Sequence, residues 1–338
     1  MPEHPFAQYV RILGKGKKSS RSLTEAESYT AMSEILAGNV EPVQLGAFLM
    51  LLRVKEESPE ELVGFIRATK EFIAKEFPAP FPSQIDWPSY SGKHKHQPWY
   101  LLAALLLAEH GYPIFMHGAA GHTEGRLYSE QILPELGIPV CQDLQQAAEE
   151  IKRSQFAFCP LRVFCPTLHQ IIDLRNTLGL RSPVHTLARL LNPSQSSHLM
   201  VGIFHPSYRP VHLEAGQSLG YQHMAVFKGE AGEVERKPDA RCTVQNLTEG
   251  APYDEEWPPL IPFRHPKPEH ISVEHLKQLW SGETKDQTNG NDPYGENAIV
   301  GTVAIALKLL GKARSQEEAI RLAQQLWTNR NRNRFNGN

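Results

Sequence analysis

A loop between a strand and a helix can hold a phosphate when a glycine lets backbone N–H groups approach the anion. The stretch "SYSGKHKHQPW", Ser89 to Trp99, occupies such a position, with Gly92 at its turn. It carries Lys93, His94, Lys95 and His96, and no acidic residue that could hold a metal. Two lysines and two histidines, followed by Trp99 and Tyr100, suit a backbone phosphate and a stacked base. An ordinary exposed turn is the competing reading. Lysines alternating with the histidines would set cations beside a metal, which argues against a metal site.

Three other loops hold residues of chemical interest. "GKGKKSSR", Gly14 to Arg21, lies in a stretch where Arg11, Lys15, Lys17, Lys18 and Arg21 meet no acid. Its glycines open backbone amides to an anion, and Ser19 and Ser20 add donors. A solvated loop before a capped helix explains the same residues. "MHGAAGHTEGR" follows a strand and ends in Arg126; its small residues leave room for a ligand but supply no chemistry. His117 at that strand end is read as a hydrogen-bonded structural histidine ahead of a general base. "LRNTLGLR" places Arg175 and Arg181 on or after a helix, where they cap carbonyls, form ion pairs or bind phosphate.

The elements that must position these loops fall into two textures. Residues 1–78 read as a small helical domain. "SLTEAESYTAMSEILAG" has Ser22 as cap and Glu25 three residues on, "EPVQLGAFLMLLRVKEE" has Pro42 at its start, and "SPEELVGFIRATKEFIAK" has Ser58 and Pro59. The proline-rich "PAPFPSQIDWPSY" marks a boundary. Across 79–328 strands such as "YPIFMHG", "FAFCP", "HLMVGIFHP", "HMAVFKGE" and "RCTVQNL" alternate with helices. That alternation predicts an α/β domain with a mainly parallel central sheet. Helices from about 168 to 195 interrupt the pattern. The proline-rich tract 249–267 reads as a long loop, and the polar basic tail 329–338 as disordered.

Bulk composition narrows the class. No apolar run approaches the ~20 residues of a membrane span, and the N-terminus lacks an apolar signal core. Cys141, Cys159, Cys165 and Cys242 lack paired zinc-ligand spacing and read as reduced core thiols of a cytoplasmic protein. The formal net charge of -2 gives no global attraction to nucleic acid, so phosphate binding must come from a local patch.

The order of these segments is more specific than any one of them. "LTEAESYTAMSEILAGNVEPVQLGAFLMLLRVKEESPEELVGF", "FAFCPLRVFCPTLHQIIDLRNTLGLRSPVHTLARLLNP" and "VFKGEAGEVE" resemble the anthranilate phosphoribosyltransferase family over nearly the whole chain. The second matches that family's "PVRxTLGxRTxFNxLGPLxNP" pattern and the third its "HGxxGxDE". The resemblance implies the nucleoside phosphorylase/phosphoribosyltransferase type of fold, with helices near 168–195 joining the helical domain in space. It further implies a cleft between two domains and a homodimer formed through the helical domains.

The catalytic positions depart from the family. Its "GTGGD" pyrophosphate loop is Ser89, Tyr90, Ser91, Gly92 and Lys93 here, so the acid has become a lysine. Its "KHGNR" is Met116, His117, Gly118, Ala119 and Ala120, and its magnesium-holding "DE" pair is Val234 and Glu235. A histidine near the aromatic acceptor matches Cys165, whereas Arg175 matches a substrate-site arginine. Ser91, Gly92, His117, Gly118 and Glu235 therefore count as degenerate substrate-site positions. Magnesium prefers carboxylates with phosphate oxygens, and this set should no longer assemble that site.

The combination resembles the YbiB-type subfamily, which implies nucleic-acid binding, single strands included, with little sequence preference. The expectation is then a nucleic-acid-binding protein with no catalytic residue, metal or cofactor. Lys15, Lys17, Lys18 and Arg21 would contact phosphates from one domain, Lys93, Lys95 and Arg126 from the other, with Arg175 at the cleft floor. Two alternatives stay open. One is a phosphoribosyltransferase with an altered acceptor and magnesium, for which Arg175, Gly229, Gly232 and Glu235 speak. The other is a protein-interaction scaffold.

Overall fold

The computed structural model describes residues 2–16, 18–77, 81–264, 271–283 and 292–335. Four helices open the chain: α1 (Ala7–Gly14), α2 (Glu25–Leu36), α3 (Pro42–Lys55) and α4 (Pro59–Ala74). The first is one more than the pattern predicted; Tyr9 and Leu13 bury one face of it. Ser58 caps α4 and Pro59 occupies its first turn, as their types require. The cap of α2 is Thr24, two residues beyond Ser22, in a reciprocal box with Glu27. Ser22 instead accepts a hydrogen bond from Lys55 Nζ at 3.0 Å.

The larger domain runs β1 (Ile85–Ser89), α5 (Trp99–Glu109), β2 (Ile114–Gly118), α6 (Ser129–Glu135), α7 (Leu144–Ser154) and β3 (Phe156–Pro160). Short helices α8 (Leu161–Phe164), α9 (Pro166–Asp173), α10 (Arg175–Leu178) and α11 (Val184–Leu187) follow. Then come β4 (His198–Ile203), α12 (Tyr208–Ser218), β5 (His223–Lys228), β6 (Cys242–Thr248) and β7 (Ala251–Trp257). Helices α13 (Val273–Ser281), α14 (Pro293–Leu309) and α15 (Gln316–Thr328) close the domain.

One seven-stranded sheet has the order β3-β2-β1-β4-β5-β6-β7. Strands β1 to β5 pair in parallel, and β6 and β7 continue antiparallel. Strand order reverses between β1 and β4. In open α/β sheets the crevice beyond the carboxyl ends at such a reversal is where ligands bind. Two apolar cores flank the sheet. One includes Leu62, Phe65 and Ile66 of α4 with Leu168 and Ile172 of α9; the other includes α5 with Ile299, Val303 and Leu307 of α14. Helix α5 is buried from Trp99 to Ala108, so its continuous apolar run fits a helix with no water-facing side.

Two segments expected to be irregular are structured over their described residues, 249–264 and 329–335; 265–267 and 336–338 lie outside the described residues. The tract 249–267 contains β7, whose pairing runs from Cys242↔Trp257 to Thr248↔Ala251. The acidic run Asp254, Glu255 and Glu256 gives an edge strand that resists further pairing. In the tail, Arg330 donates to the Trp280 carbonyl at 2.7 Å, and its guanidinium lies 3.6 Å over the Trp327 ring. Arg334 reaches Glu109 at 3.2 Å. These arginines anchor residues up to 335, which polarity alone had marked as disordered. All four cysteines are buried and free. No described helix is long and apolar enough to cross a membrane.

Candidate functional site

The loop after β1 is built around Gly92, whose φ of +65° is a left-handed conformation that glycine adopts without strain. A Cβ there would also meet the Leu127 carbonyl at 2.9 Å. The backbone N–H groups of Ser91 and Gly92 point into the crevice as a two-donor cradle. That cradle is filled by the chain itself: Glu233 Oε1 accepts from Ser91 N at 2.6 Å and from Gly92 N at 2.7 Å. A carboxylate oxygen sits where the loop would present its donors to a phosphate.

Lys93 completes the closure. It is 1% exposed, and its Nζ lies 2.5 Å from Glu235 Oε1. Glu235 Oε2 accepts from Tyr100 N at 2.8 Å. Burial pushes the Glu235 carboxyl up, to about 7, and the Lys93 ammonium pulls the other way. The anticipated phosphate contact from Lys93 is therefore corrected, because its charge is spent inside the protein. The fold family implies magnesium at these positions, and the residues present do not fit it. The remaining carboxylate already faces a cation at 2.5 Å, and a divalent ion beside it would be repelled. Among the described residues no group of three or more His, Cys, Asp or Glu is arranged to hold a metal ion.

The other degenerate positions are also structural. His117 is buried between Asp86, at 2.9 Å from its Nε2, and the Tyr90 hydroxyl, at 2.7 Å from its Nδ1. At Gly118 a Cβ would lie 2.1 Å from the Ser89 carbonyl, so only glycine permits this approach of β2 to the end of β1. Trp99 and Tyr100 are fully buried, which removes them as stacking platforms for a base.

The expected cations separate into used and available ones. Arg21 forms a two-pronged pair with Glu27 at 2.7 Å on both oxygens, so a phosphate there would compete with a carboxylate. Lys15 and Lys18 are exposed, with no ion pair among the described residues, and Lys17 lies outside them. Lys95 is exposed beside His94. Arg126 clamps the loop from outside, donating to the Ser91 carbonyl at 2.8 Å. Arg175 donates to the His122 carbonyl at 2.6 Å.

Two arginines complete a cationic cluster: Arg181, for which phosphate binding is one of the readings above, and Arg189, which the sequence reading does not single out. Arg189 is buried, donating to Gly202 O at 3.1 Å and to Ser91 Oγ at 2.7 Å. Arg181 is half-buried, and burial, then Arg189 and Arg126, lowers its pKa to about 10. His122 is held near 3 by burial, then by Arg181, with Arg175 and Arg189 adding to it. Arg126, Arg175 and Arg189 all act on Arg181, so the four arginines lie about one region of the crevice. A signal for Arg189 existed in the sequence: "LARLLNP" puts arginine where the "LGPLxNP" pattern has proline. An arginine in an apolar run usually marks a solvent-facing helix position, so its role needed the fold.

Comparison with known proteins agrees with this architecture. A glycosyl transferase family helical bundle domain matches residues 7–73, and a glycosyl transferase family a/b domain matches residues 100–330. The chain belongs to this family, whose relatives include anthranilate phosphoribosyltransferases. It is 30% identical to the uncharacterized protein YbiB of Escherichia coli over 245 residues, 72% of this chain and 76% of that one. It is 25% identical to the anthranilate phosphoribosyltransferase of Sulfolobus acidocaldarius, covering 90% of this chain and 89% of the relative. The crystal structure of anthranilate phosphoribosyltransferase (TrpD) from Thermus thermophilus superposes with a TM-score of 0.76 at 23% identity. That match covers 96% of this chain and 94% of the other.

Proposed function

We propose that this protein binds nucleic acid, single-stranded DNA above all, without sequence preference, on a phosphoribosyltransferase scaffold that no longer transfers phosphoribose. The observation that carries the reading is the occupied loop: Glu233 fills the amide cradle and Lys93 neutralises Glu235. Beside it, Arg126, Arg175, Arg181 and Arg189 keep a positive field at the crevice of a chain whose net charge is -2. Lys15, Lys18 and Lys95 add exposed charges that can follow a strand. Binding through phosphates releases counterions and is steeply salt-dependent.

The direct test is fluorescence anisotropy of a labelled single-stranded oligonucleotide at several salt concentrations without magnesium. The expected slope of log affinity against log salt is about -0.7 for each phosphate contacted. Absence of binding at low salt would remove the reading. Lys17→Glu with Lys18→Glu should weaken all sequences alike.

A second reading has support in the relatives, since the chain aligns along 90% of its length with a phosphoribosyltransferase. It requires Glu233 to leave the cradle and predicts magnesium-dependent binding of phosphoribosyl pyrophosphate. A homodimer in the cytoplasm is part of our proposal. Its support is the outer face of α3, where Val43 and Val54 are 79% and 81% exposed.

A further inference from the structure

Beyond the occupied loop, at the carboxyl end of β4, lies an open cavity of about 130 Å³. Arg53 of α3 contributes from the helical domain; Arg181, His185, Phe204 and Tyr208 contribute from the larger one. It is smaller than the ~300 Å³ lower end of drug-sized pockets, so it suits one ring system with its substituents.

Four features of this cavity call for a ligand. Arg181 makes no hydrogen bond or ion pair among the described residues, although it is half-buried and shares its field with three other arginines. Its guanidinium has no protein acceptor among the described residues and is partly shielded from water, so an anion entering the cavity would gain a charge-assisted hydrogen bond there. Phe204 stands 52% exposed at the mouth, with His205 edge-on at 4.8 Å. Ser182 Oγ and His185 Nε2 are buried without a hydrogen-bond partner, and both residues line the cavity. His185 Nδ1 donates to the Ser182 carbonyl at 3.2 Å, and burial, then His122 and Arg181, keeps the ring neutral. Its Nε2 is therefore a buried acceptor without a partner, in a residue that lines the cavity.

From this geometry we infer that the cavity takes one nucleotide unit, its base against Phe204 and its phosphate on Arg181. His185 and Ser182 hydrogen-bond the base edge. The same chemistry is presented by a free nucleoside monophosphate and by an unstacked nucleotide of a single strand. The strand form rests on the nucleic-acid reading above.

The test compares an ordinary labelled single strand with an abasic strand of equal length, using full-length wild type, Phe204→Ala and Phe204→Tyr. Calorimetric titrations with adenosine monophosphate and ribose 5-phosphate separate the free-nucleotide source. Wild type should prefer the ordinary strand by about tenfold, since one stacked base contributes about 1–3 kcal/mol. Phe204→Ala should erase that preference with an unchanged salt slope, and Phe204→Tyr should keep it. Adenosine monophosphate binding more tightly than ribose 5-phosphate, and losing the advantage in Phe204→Ala, would extend the site to free nucleotides. Equal affinity of wild type for the two strands, with steep salt dependence intact, would overturn the base site and leave the nucleic-acid reading standing. Loss of strand binding with nucleotide binding kept would overturn the strand form alone. Loss of both would overturn the two together.

Discussion

The crevice has two neighbouring regions with opposite electrostatic bookkeeping. In the loop after β1 the two buried charges of the cradle have internal partners: Lys93 meets Glu235, and Glu233 Oε1 meets two backbone N–H groups. In the cavity after β4, Arg181 has no such partner among the described residues, and two buried polar atoms wait beside it. Arg189 joins the regions, touching Ser91 of the first and lining the second. The lesson is that binding capacity follows unpaired charge, and the count of basic residues is a poor guide to it. A cation buried against a carboxylate stabilises or destabilises the fold, whereas one left unpaired is available to a ligand.

The strongest way to break this comparison is to remove Lys93. Lys93→Ala leaves Glu235 buried without its ammonium, and the expected loss is about 3–5 kcal/mol of stability. Thermal or urea unfolding would show it; a change within experimental error would mean that Lys93 is not holding a buried charge.

Glu57, near Arg53 at the edge of the open cavity, sharpens the comparison through pH. Burial lifts its carboxyl to about 7, with its own backbone N–H and Arg53 opposing the shift. A raised acid pKa contributes stability below the unfolded value near 4.5, and that stability is lost as pH rises through about 7. Glu57→Gln should therefore match wild type near pH 4.5 and exceed it by up to about 3 kcal/mol above pH 7. Denaturant titrations at several pH values would measure the gap, and a gap independent of pH would contradict the assignment.

Emptying the cradle is a smaller perturbation. Glu233→Ala should cost about 1–3 kcal/mol, because two buried N–H groups lose their acceptor. It should also make the melting temperature rise more steeply with added inorganic phosphate than in wild type, whose anion response is confined to the Arg181 cavity. If wild type responds equally, the cradle is open already.

The smallest effect belongs to the surface. Arg21→Ala should change stability by no more than about 1 kcal/mol, as exposed pairs do. It should also leave the salt slope of strand binding unchanged, because Glu27 already neutralises that charge. A reduced slope would return Arg21 to the interface.

Much of this molecule was legible from residue types. Ser58 and Pro59 announce a helix start through local hydrogen bonding and a preset φ, and α4 begins there. Alternating strands and helices announced the parallel sheet, because hydrophobic period is a local property. The lost acid at position 93 and the lost acid at 234 were visible as departures from a known pattern. The strand β7 was hidden because prolines and acids dominate its composition, and an edge strand tolerates both. The tail arginines were hidden because their anchors, Trp280 and Glu109, lie far back in the chain.

Sequence alone determined the helical and α/β textures, the order of motifs and the loss of the magnesium carboxylates, all written in neighbouring residues. Only the tertiary structure decided which charges were spent. Lys93 and Glu235 stand 142 positions apart, as do Glu233 and Ser91. Whether two such charges meet depends on strand order and on the crevice between β1 and β4. Pairing energy falls steeply with distance and with access of water, and the chain acquires both of those only when it folds.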